Sequence, residues 1–339
     1  MTEKNKLNLG IIGYGYWGPN LVRNFYGLDN CTIKYVCDLR TERLSLVSKL
    51  FPSINLTGDY NSLLKDPEVD AVAVATPVGT HYNFAKLALE HDKHVLVEKP
   101  MTDSYSKAKE LIDIALKKNK VLMIDHTFLY TGAVKTIRKL IDGGTLGRIQ
   151  YFDSTRINLG LFQQDINVLW DLASHDLSIL SHLINEKPHS IRAVGVSHTV
   201  NKIENIAYLI LHYPSGMIAH FNCSWSSPVK IRQILIGGDK KMIVYNDIET
   251  SEKVKVYDTG YDVRTDEDKQ KLLVDYRVGD VYSPKVDIRE ALTGLVSDFK
   301  DAVLNGTDPL SNWKVGLEVV KILEASDKSL KDNSKEIPI

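Results

Sequence analysis

Along the first 125 residues, short and mainly apolar runs alternate with stretches whose apolar side chains recur at helical spacing. The runs are Leu7–Ile12, 32–38, 71–76, His94–Glu98 and 121–124. Between them lie amphipathic stretches at 42–51, 82–90 and 104–117, and Leu21, Val22, Phe25 and Leu28 form a helical face after the first run. Mainly apolar runs of this length suit strands of a sheet covered on both faces, and strands alternating with helices are βαβ units. Residues 1–125 are therefore expected to form a doubly wound parallel sheet, with the domain boundary near 120–130.

Beyond residue 127 the pattern changes. Two helices are expected at 133–142 and 169–184, followed by strand-like segments at 190–200, 206–213, 217–225, 231–236 and 241–245. Met217, Ala219, Phe221, Cys223 and Trp225 alternate with more polar neighbours, as on a strand with one buried face. Pro214-Ser215-Gly216 and Gly237-Gly238-Asp239 supply turns. Two further helices, at 288–304 and 313–328, complete an α/β domain over 126–339 with a large, mostly antiparallel open sheet. The polar stretch 328–336 has a disorder-prone composition.

Composition narrows the function classes. The 339 residues are 43% hydrophobic and 25% charged, enough to bury a sizeable core. Forty-two basic and 43 acidic residues leave a formal net charge of −1, so no global field draws the chain to nucleic acid or an anionic membrane. No stretch approaches the roughly 18 continuous apolar residues of a membrane span. The polar residues 1–6 lack the apolar run of a signal peptide. Three cysteines, Cys31, Cys37 and Cys223, show no CxxC spacing, and a reducing cytoplasm is expected.

The first run ends in Gly13-Tyr14-Gly15-Tyr16-Trp17-Gly18, a GxGxxG between an expected strand and an expected helix. Gly13 permits a tight turn, Gly15 lets a pyrophosphate approach the backbone, and Gly18 permits close helix-to-strand packing. The helix amides and the positive end of its dipole then hold phosphates. Asp38 ends the second run, where a carboxylate accepts hydrogen bonds from the ribose hydroxyls of a dinucleotide. The same charge repels a 2′-phosphate, which favours NAD over NADP, although Arg40 could accommodate that phosphate in part. The first domain is thus expected to be a Rossmann domain.

Glu98 and Lys99 lie at the carboxyl end of a buried strand, the edge at which open α/β sheets bind ligands. A lysine there can hydrogen-bond a substrate hydroxyl and stabilise the alkoxide that forms as its proton leaves and its carbon gives up hydride, and Pro100 biases it towards extended geometry. Asp171 and His175 are spaced i, i+4 on one helix face, an arrangement suited to proton transfer. Thr76, Pro77 and His81 share the sheet edge; they either touch the cofactor or cap the next helix. Asp171, His175, Asp176 and His182 match no recognised zinc spacing, and hydride transfer requires no metal. His126 and the other scattered histidines carry no interpretable geometry.

Together, the Gly13–Gly18 turn with Asp38, the segment from Ala75-Thr76-Pro77 to His81, Glu98-Lys99-Pro100, and the Asp171/His175 pair resemble the glucose-fructose oxidoreductase/inositol dehydrogenase/rhizopine-catabolism (Gfo/Idh/MocA) family. The resemblance implies that Lys99 and His175 share acid–base work on a sugar or polyol hydroxyl, with Asp171 orienting the substrate or His175. It also implies a homodimer or homotetramer formed through the second domain's sheet. Gly15-Tyr16-Trp17-Gly18-Pro19-Asn20 and 167–172 look like members acting on nucleotide-linked sugars, which makes oxidation or reduction at a ring carbon, C3, the leading expectation. Arg156, Asn158 and Gln163 are then candidate polar contacts for sugar or diphosphate. Phe128-Leu129-Tyr130 lacks the arginine that many relatives carry between two aromatics, so sugar contacts there do not transfer. The alternatives are a catabolic dehydrogenase of free inositol or sugar, and a non-catalytic protein that senses NAD or a sugar.

Overall fold

A computed structural model describes residues 6–160, 162–262 and 275–339; the polar N-terminal stretch, save Lys6, lies outside the described residues. The chain divides into two compact units. Met1–Tyr130 with Arg289–Glu324 form the first, and Thr131–Ile288 with Ala325–Ile339 form the second.

The first unit holds a six-stranded parallel sheet of β1 (Leu7–Ile12), β2 (Cys31–Cys37), β3 (Asn55–Thr57), β4 (Ala71–Val74), β5 (His94–Glu98) and β6 (Leu122–Asp125), in the order β3–β2–β1–β4–β5–β6. This is the Rossmann order, whose ligand crevice opens where the order reverses, at the carboxyl ends of β1 and β4. Ala71, Val72, Ala73, Val74, Val95, Leu96 and Val97 are all inaccessible to solvent or nearly so, which explains why these strands read as unbroken apolar runs. Helices α1 (Gly18–Tyr26), α2 (Thr41–Leu50), α3 (Tyr60–Leu64), α4 (Val78–Glu90) and α5 (Tyr105–Lys117) form the connections.

The grouping of Arg289–Glu324 with the first unit departs from a single division at 125/126. Its helix Ala291–Asn305 buries Leu292, Leu295, Val296 and Phe299. Phe299 meets Phe25 of α1 edge to face, with ring centroids 6.2 Å apart. Tyr130 donates its hydroxyl hydrogen to Asp298 (2.6 Å), and Ser311 donates to the Ile124 carbonyl (2.6 Å). An amphipathic face alone does not say which core it will join.

In the second unit, helix α6 (Gly132–Asp142) leads to β7 (Ile149–Leu159). A five-residue π turn (Leu169–Ala173) runs directly into α7 (Ser174–Leu183). The nine-stranded sheet comprises β7, β8 (Ser190–Val196), β9 (Ile206–His212), β10 (Ile218–Ser224), β11 (Ser226–Gly238), β12 (Met242–Asn246), β13 (Val254–Tyr257), β16 (Val281–Tyr282) and β17 (Ile337–Pro338). It is antiparallel except where β7 runs parallel to β10. A small pair, β14 (Gly260–Asp262) and β15 (Asp275–Arg277), stands apart. Phe152, Ala193, Leu209, Phe221, Ile234 and Ile243 line one buried face, whereas Val194, Tyr208 and Ile218 on the other face remain exposed.

The structure adds one strand to the sequence reading and corrects one of its expectations. The stretch 149–159 does not read as a strand, yet β7 sits mid-sheet between β10 and β11; its buried positions include Ser154 and Arg156, so the usual apolar alternation is hidden. The polar tail is ordered. The last helix runs to Lys331, Ser329 donates to the Ala193 carbonyl (3.3 Å), and β17 pairs with β8 through Ile337 and Ile191.

Candidate active site

In the first unit the site begins at the glycine turn after β1. Gly13 has φ +98°, and a Cβ there would collide with the Ala75 carbonyl oxygen. A Cβ on Gly18 would collide with the Gly13 carbonyl oxygen. Gly15 is different: a Cβ would come no closer to the chain than 3.7 Å, to Arg40 Nη2. The chain's own packing thus requires glycine at 13 and 18, while Gly15 leaves its side of the turn open. Such a cradle at a helix N-terminus suits a pyrophosphate.

Asp38, one residue past β2, is buried and tied to this turn. Its Oδ2 accepts from the Tyr14 amide (2.8 Å) and Arg40 Nη2 (3.1 Å), and its Oδ1 accepts from the Arg40 amide (2.9 Å) and Nε (3.0 Å). Burial pushes the carboxyl's pKa up, but the hydrogen bonds from Arg40 and Tyr14 outweigh it and hold it below its ordinary value. Asp38 therefore carries its charge at neutral pH. Arg40 is half exposed.

Thr76 and Pro77 follow β4 on the same edge. His81, in the first turns of α4, is 1% exposed, with Nε2 2.8 Å from the Thr76 carbonyl oxygen and Nδ1 2.9 Å from that of Pro100. It braces the loop after β4 against the segment after β5, a part that spacing alone does not reveal.

Glu98 ends β5 and Lys99 follows it. The Lys99–Pro100 peptide is cis. The Glu98 carboxyl accepts from the Lys99 amide through Oε2 (3.2 Å). Burial raises its pKa well above the usual carboxylate range, and the facing Asp125 carboxyl adds to the rise, while Lys99 pulls the other way without offsetting it. Asp125 ends β6 in register with Glu98 and accepts from Trp17 Nε1 (2.8 Å) and the Thr127 hydroxyl. The next residue, His126, is 1% exposed; burial and the Lys99 charge push its pKa down to about 3, so it stays neutral. Sequence reasoning misses both Asp125 and His126. Their only advance signal is position, one strand along from Glu98-Lys99 at the same sheet edge.

In the second unit, Asn167 opens the π turn. Its Oδ1 accepts from the amides of Leu169 (3.1 Å) and Trp170 (3.3 Å), and its Nδ2 donates to Asp327 (2.9 Å), which also accepts from Trp170 Nε1 (3.0 Å). π turns inside helices often mark functional sites. Asp171 lies within this one and His175 is the second residue of the following helix α7. Asp171 Oδ2 accepts from Trp225 Nε1 (2.9 Å), a buried indole that spacing does not single out.

Arg156 is not on an exposed loop. It lies on β7, 2% exposed, and donates through Nε (2.9 Å) and Nη2 (2.6 Å) to Asp176, which also accepts from the Ser154 hydroxyl (2.7 Å). Burial works against the guanidinium's charge, and Asp176 more than restores it. This bidentate pair anchors the residue next to His175 to the sheet. Asn158 is also on β7, while Gln163 lies in the irregular stretch before the π turn. The sequence-derived residues thus fall into a cofactor group with Lys99 in the first unit, and Arg156, Asn158, Gln163, Asp171 and His175 in the second. Among the described residues no helix is long and apolar enough to cross a membrane.

A Rossmann sheet with a dinucleotide turn, joined to a unit built on a largely antiparallel sheet, defines a class of two-part NAD(P)-dependent oxidoreductases. Residues 7–126 match the GFO/IDH/MocA oxidoreductase family, NAD-binding Rossmann fold, and residues 134–244 match the GFO/IDH/MocA C-terminal domain; the chain belongs to this family. It is 31% identical over 227 residues to UDP-N-acetylglucosamine 3-dehydrogenase of Acidithiobacillus ferrooxidans, covering 64% of this chain and 67% of that one. That enzyme's solved structure superposes with a TM-score of 0.76 at 23% identity, over 95% of this chain and 98% of the other. The chain is also 26% identical to the NADP(+)-dependent scyllo-inositol 2-dehydrogenase of Bacillus subtilis, over 68% of this chain and 63% of that one.

Proposed function

We propose that the chain is an NAD-dependent oxidoreductase that transfers a hydride between the nicotinamide and a ring carbon, C3, of a nucleotide-activated sugar. The observation that carries the cofactor half is Asp38: buried, ionised and joined to the glycine turn through Tyr14, it accepts hydrogen bonds from ribose hydroxyls and repels a 2′-phosphate. Arg40 is the counter-argument, since its half-exposed side chain is free to leave Asp38 for a phosphate. The substrate half is supported by the similarity to an enzyme named for UDP-N-acetylglucosamine and position 3.

The bound dinucleotide supplies a nicotinamide that accepts or returns a hydride. Gly13, Gly15, Tyr16, Trp17 and Gly18 hold its phosphates, Asp38 with Arg40 its adenine-side ribose, and Thr76, Pro77 and Glu98 flank it along the sheet edge. Lys99 Nζ hydrogen-bonds the reacting hydroxyl and offsets charge on its oxygen as the proton leaves. His175 shares that proton transfer, and Asp171, held by the Trp225 indole, orients it or the sugar. Asn158 and Gln163 contact the sugar or diphosphate, whereas Arg156 acts through Asp176. The exposed Val194, Tyr208 and Ile218 support assembly into a homodimer or homotetramer through the sheet. The similarity to an inositol dehydrogenase supports a second reading, a catabolic enzyme of free inositol or sugars.

Rates of NADH formation with UDP- and dTDP-sugars against free sugars and inositols separate the two. Turnover confined to nucleotide sugars is expected; comparable turnover of free sugars with no response to nucleotide sugars would favour the second reading.

A further inference from the structure

The carboxyl ends of β5 and β6 hold an arrangement that dinucleotide binding does not by itself require. Glu98 and Asp125 are register partners on adjacent parallel strands, so their carboxyls face one another. Asp125 is 3% exposed, and Glu98 Oε1 is buried with no hydrogen-bond donor. A buried acceptor left without a donor is destabilising, and two facing carboxylates repel one another. One proton held between them removes both penalties. The nearby groups do not take over that task. The Lys99 charge favours ionisation of Glu98 but does not offset burial and Asp125, His126 is neutral, Thr127 and Trp17 already donate to Asp125, and the Lys99 amide serves Glu98 Oε2.

The second half of the arrangement is Trp17, the one large side chain between Gly15 and Gly18 that reaches across to β6. Its indole donates to Asp125 Oδ2 at 2.8 Å. The glycine turn is thereby joined to the strand end that carries Glu98 and Lys99.

We propose that Asp125 is a positioning residue: it shares one proton with Glu98 and, through Trp17, locks the glycine turn to the strand end bearing Lys99, so that dinucleotide binding and Lys99 placement are set together. The inference rests on the dinucleotide reading for its binding consequence but not for the shared proton. No bond other than O–H is made or broken, and the net charge of the pair stays at one negative unit.

Two measurements on the full chain test it. In the infrared, the wild-type minus Glu98→Gln difference at neutral pH should show a protonated carboxyl C=O band that shifts in D2O, because Glu98→Gln replaces one carboxyl of the pair by an amide that itself donates to Asp125. Absence of that band overturns the shared proton. In NADH fluorescence titrations, Asp125→Ala and Trp17→Phe should each weaken binding about tenfold, and the double variant should lose little more than either alone. Additive losses, or none in Asp125→Ala, overturn the lock. Unfolding midpoints of the variants close to wild type show that the loss is not misfolding. If the wild-type chain binds neither NADH nor NADPH, the dinucleotide reading and the lock fail together, and the infrared band still decides the shared proton.

Discussion

Each unit buries a carboxylate beside a residue proposed for chemistry, and the two solve the problem of its charge in opposite ways. In the second unit Asp176 faces the Arg156 guanidinium, both about 2–3% exposed, and opposite charges fix the pair in one state. In the first, Glu98 faces another carboxyl, and the nearby Lys99 charge does not offset it. A pair of opposite charges is a scaffold; a pair of like charges must take up a proton, and its state then depends on what lies near it. The difference places structural stiffness next to His175 and chemical adjustability next to Lys99.

Lys99→Ala should have the largest effect. Turnover should fall by about 10²–10⁴, the usual share of a general acid–base group, with NADH binding and unfolding midpoint little changed. Retained turnover measured by NADH absorbance would remove Lys99 from the chemistry.

Arg156→Met should do the reverse. Leaving Asp176 uncompensated is expected to cost about 3–5 kcal/mol in urea unfolding, whereas Glu98→Gln at neutral pH should cost far less. Equal losses would erase the distinction between the two pairs.

Trp225→Phe keeps the buried ring but removes the donor to Asp171. A loss of about tenfold or less in kcat/KM is expected, with cofactor affinity unaffected; an unchanged kcat/KM would make Trp225 a packing residue only.

The smallest effect concerns pH. Glu98 has a raised pKa in the folded chain, so its contribution to stability is present below its unfolded value of about 4.3 and is lost as pH rises through the folded value. Asp38 has a lowered one, so its contribution is present above about 3.9 and is lost as pH falls through the folded value. The unfolding midpoint of wild type relative to Glu98→Gln should therefore decline with rising pH, while relative to Asp38→Asn it should decline towards acid. A pH-independent difference in either series contradicts the assigned direction.

The first unit is legible in the sequence because parallel strands buried on both faces are mainly apolar, most completely in β4 and the middle of β5, and because Gly13 and Gly18 are dictated by contacts within a few residues of the turn or just after β4. Strand β7 is hidden because Ser154 and Arg156 occupy buried positions and owe their place to Asp176, on a helix that comes later in the chain. Lys99, Asp171 and His175 can be named from spacing and family resemblance, but their supports cannot. The Glu98–Asp125 pairing is a matter of strand register, and the Trp17–Asp125 and Trp225–Asp171 bonds join residues 108 and 54 positions apart. The order of the tail is equally hidden, because its polar composition says nothing about the free edge of β8 that Ile337 completes.

The most direct test of the proposed function is to incubate the purified chain with NAD and a panel of UDP- and dTDP-sugars and identify the product by mass spectrometry. The expected result is a keto-sugar still attached to its nucleotide, lighter by two hydrogens, with the carbonyl at C3 and one NADH formed for each product molecule. Oxidation of free sugars or inositols alone, with every nucleotide sugar recovered intact, would contradict it.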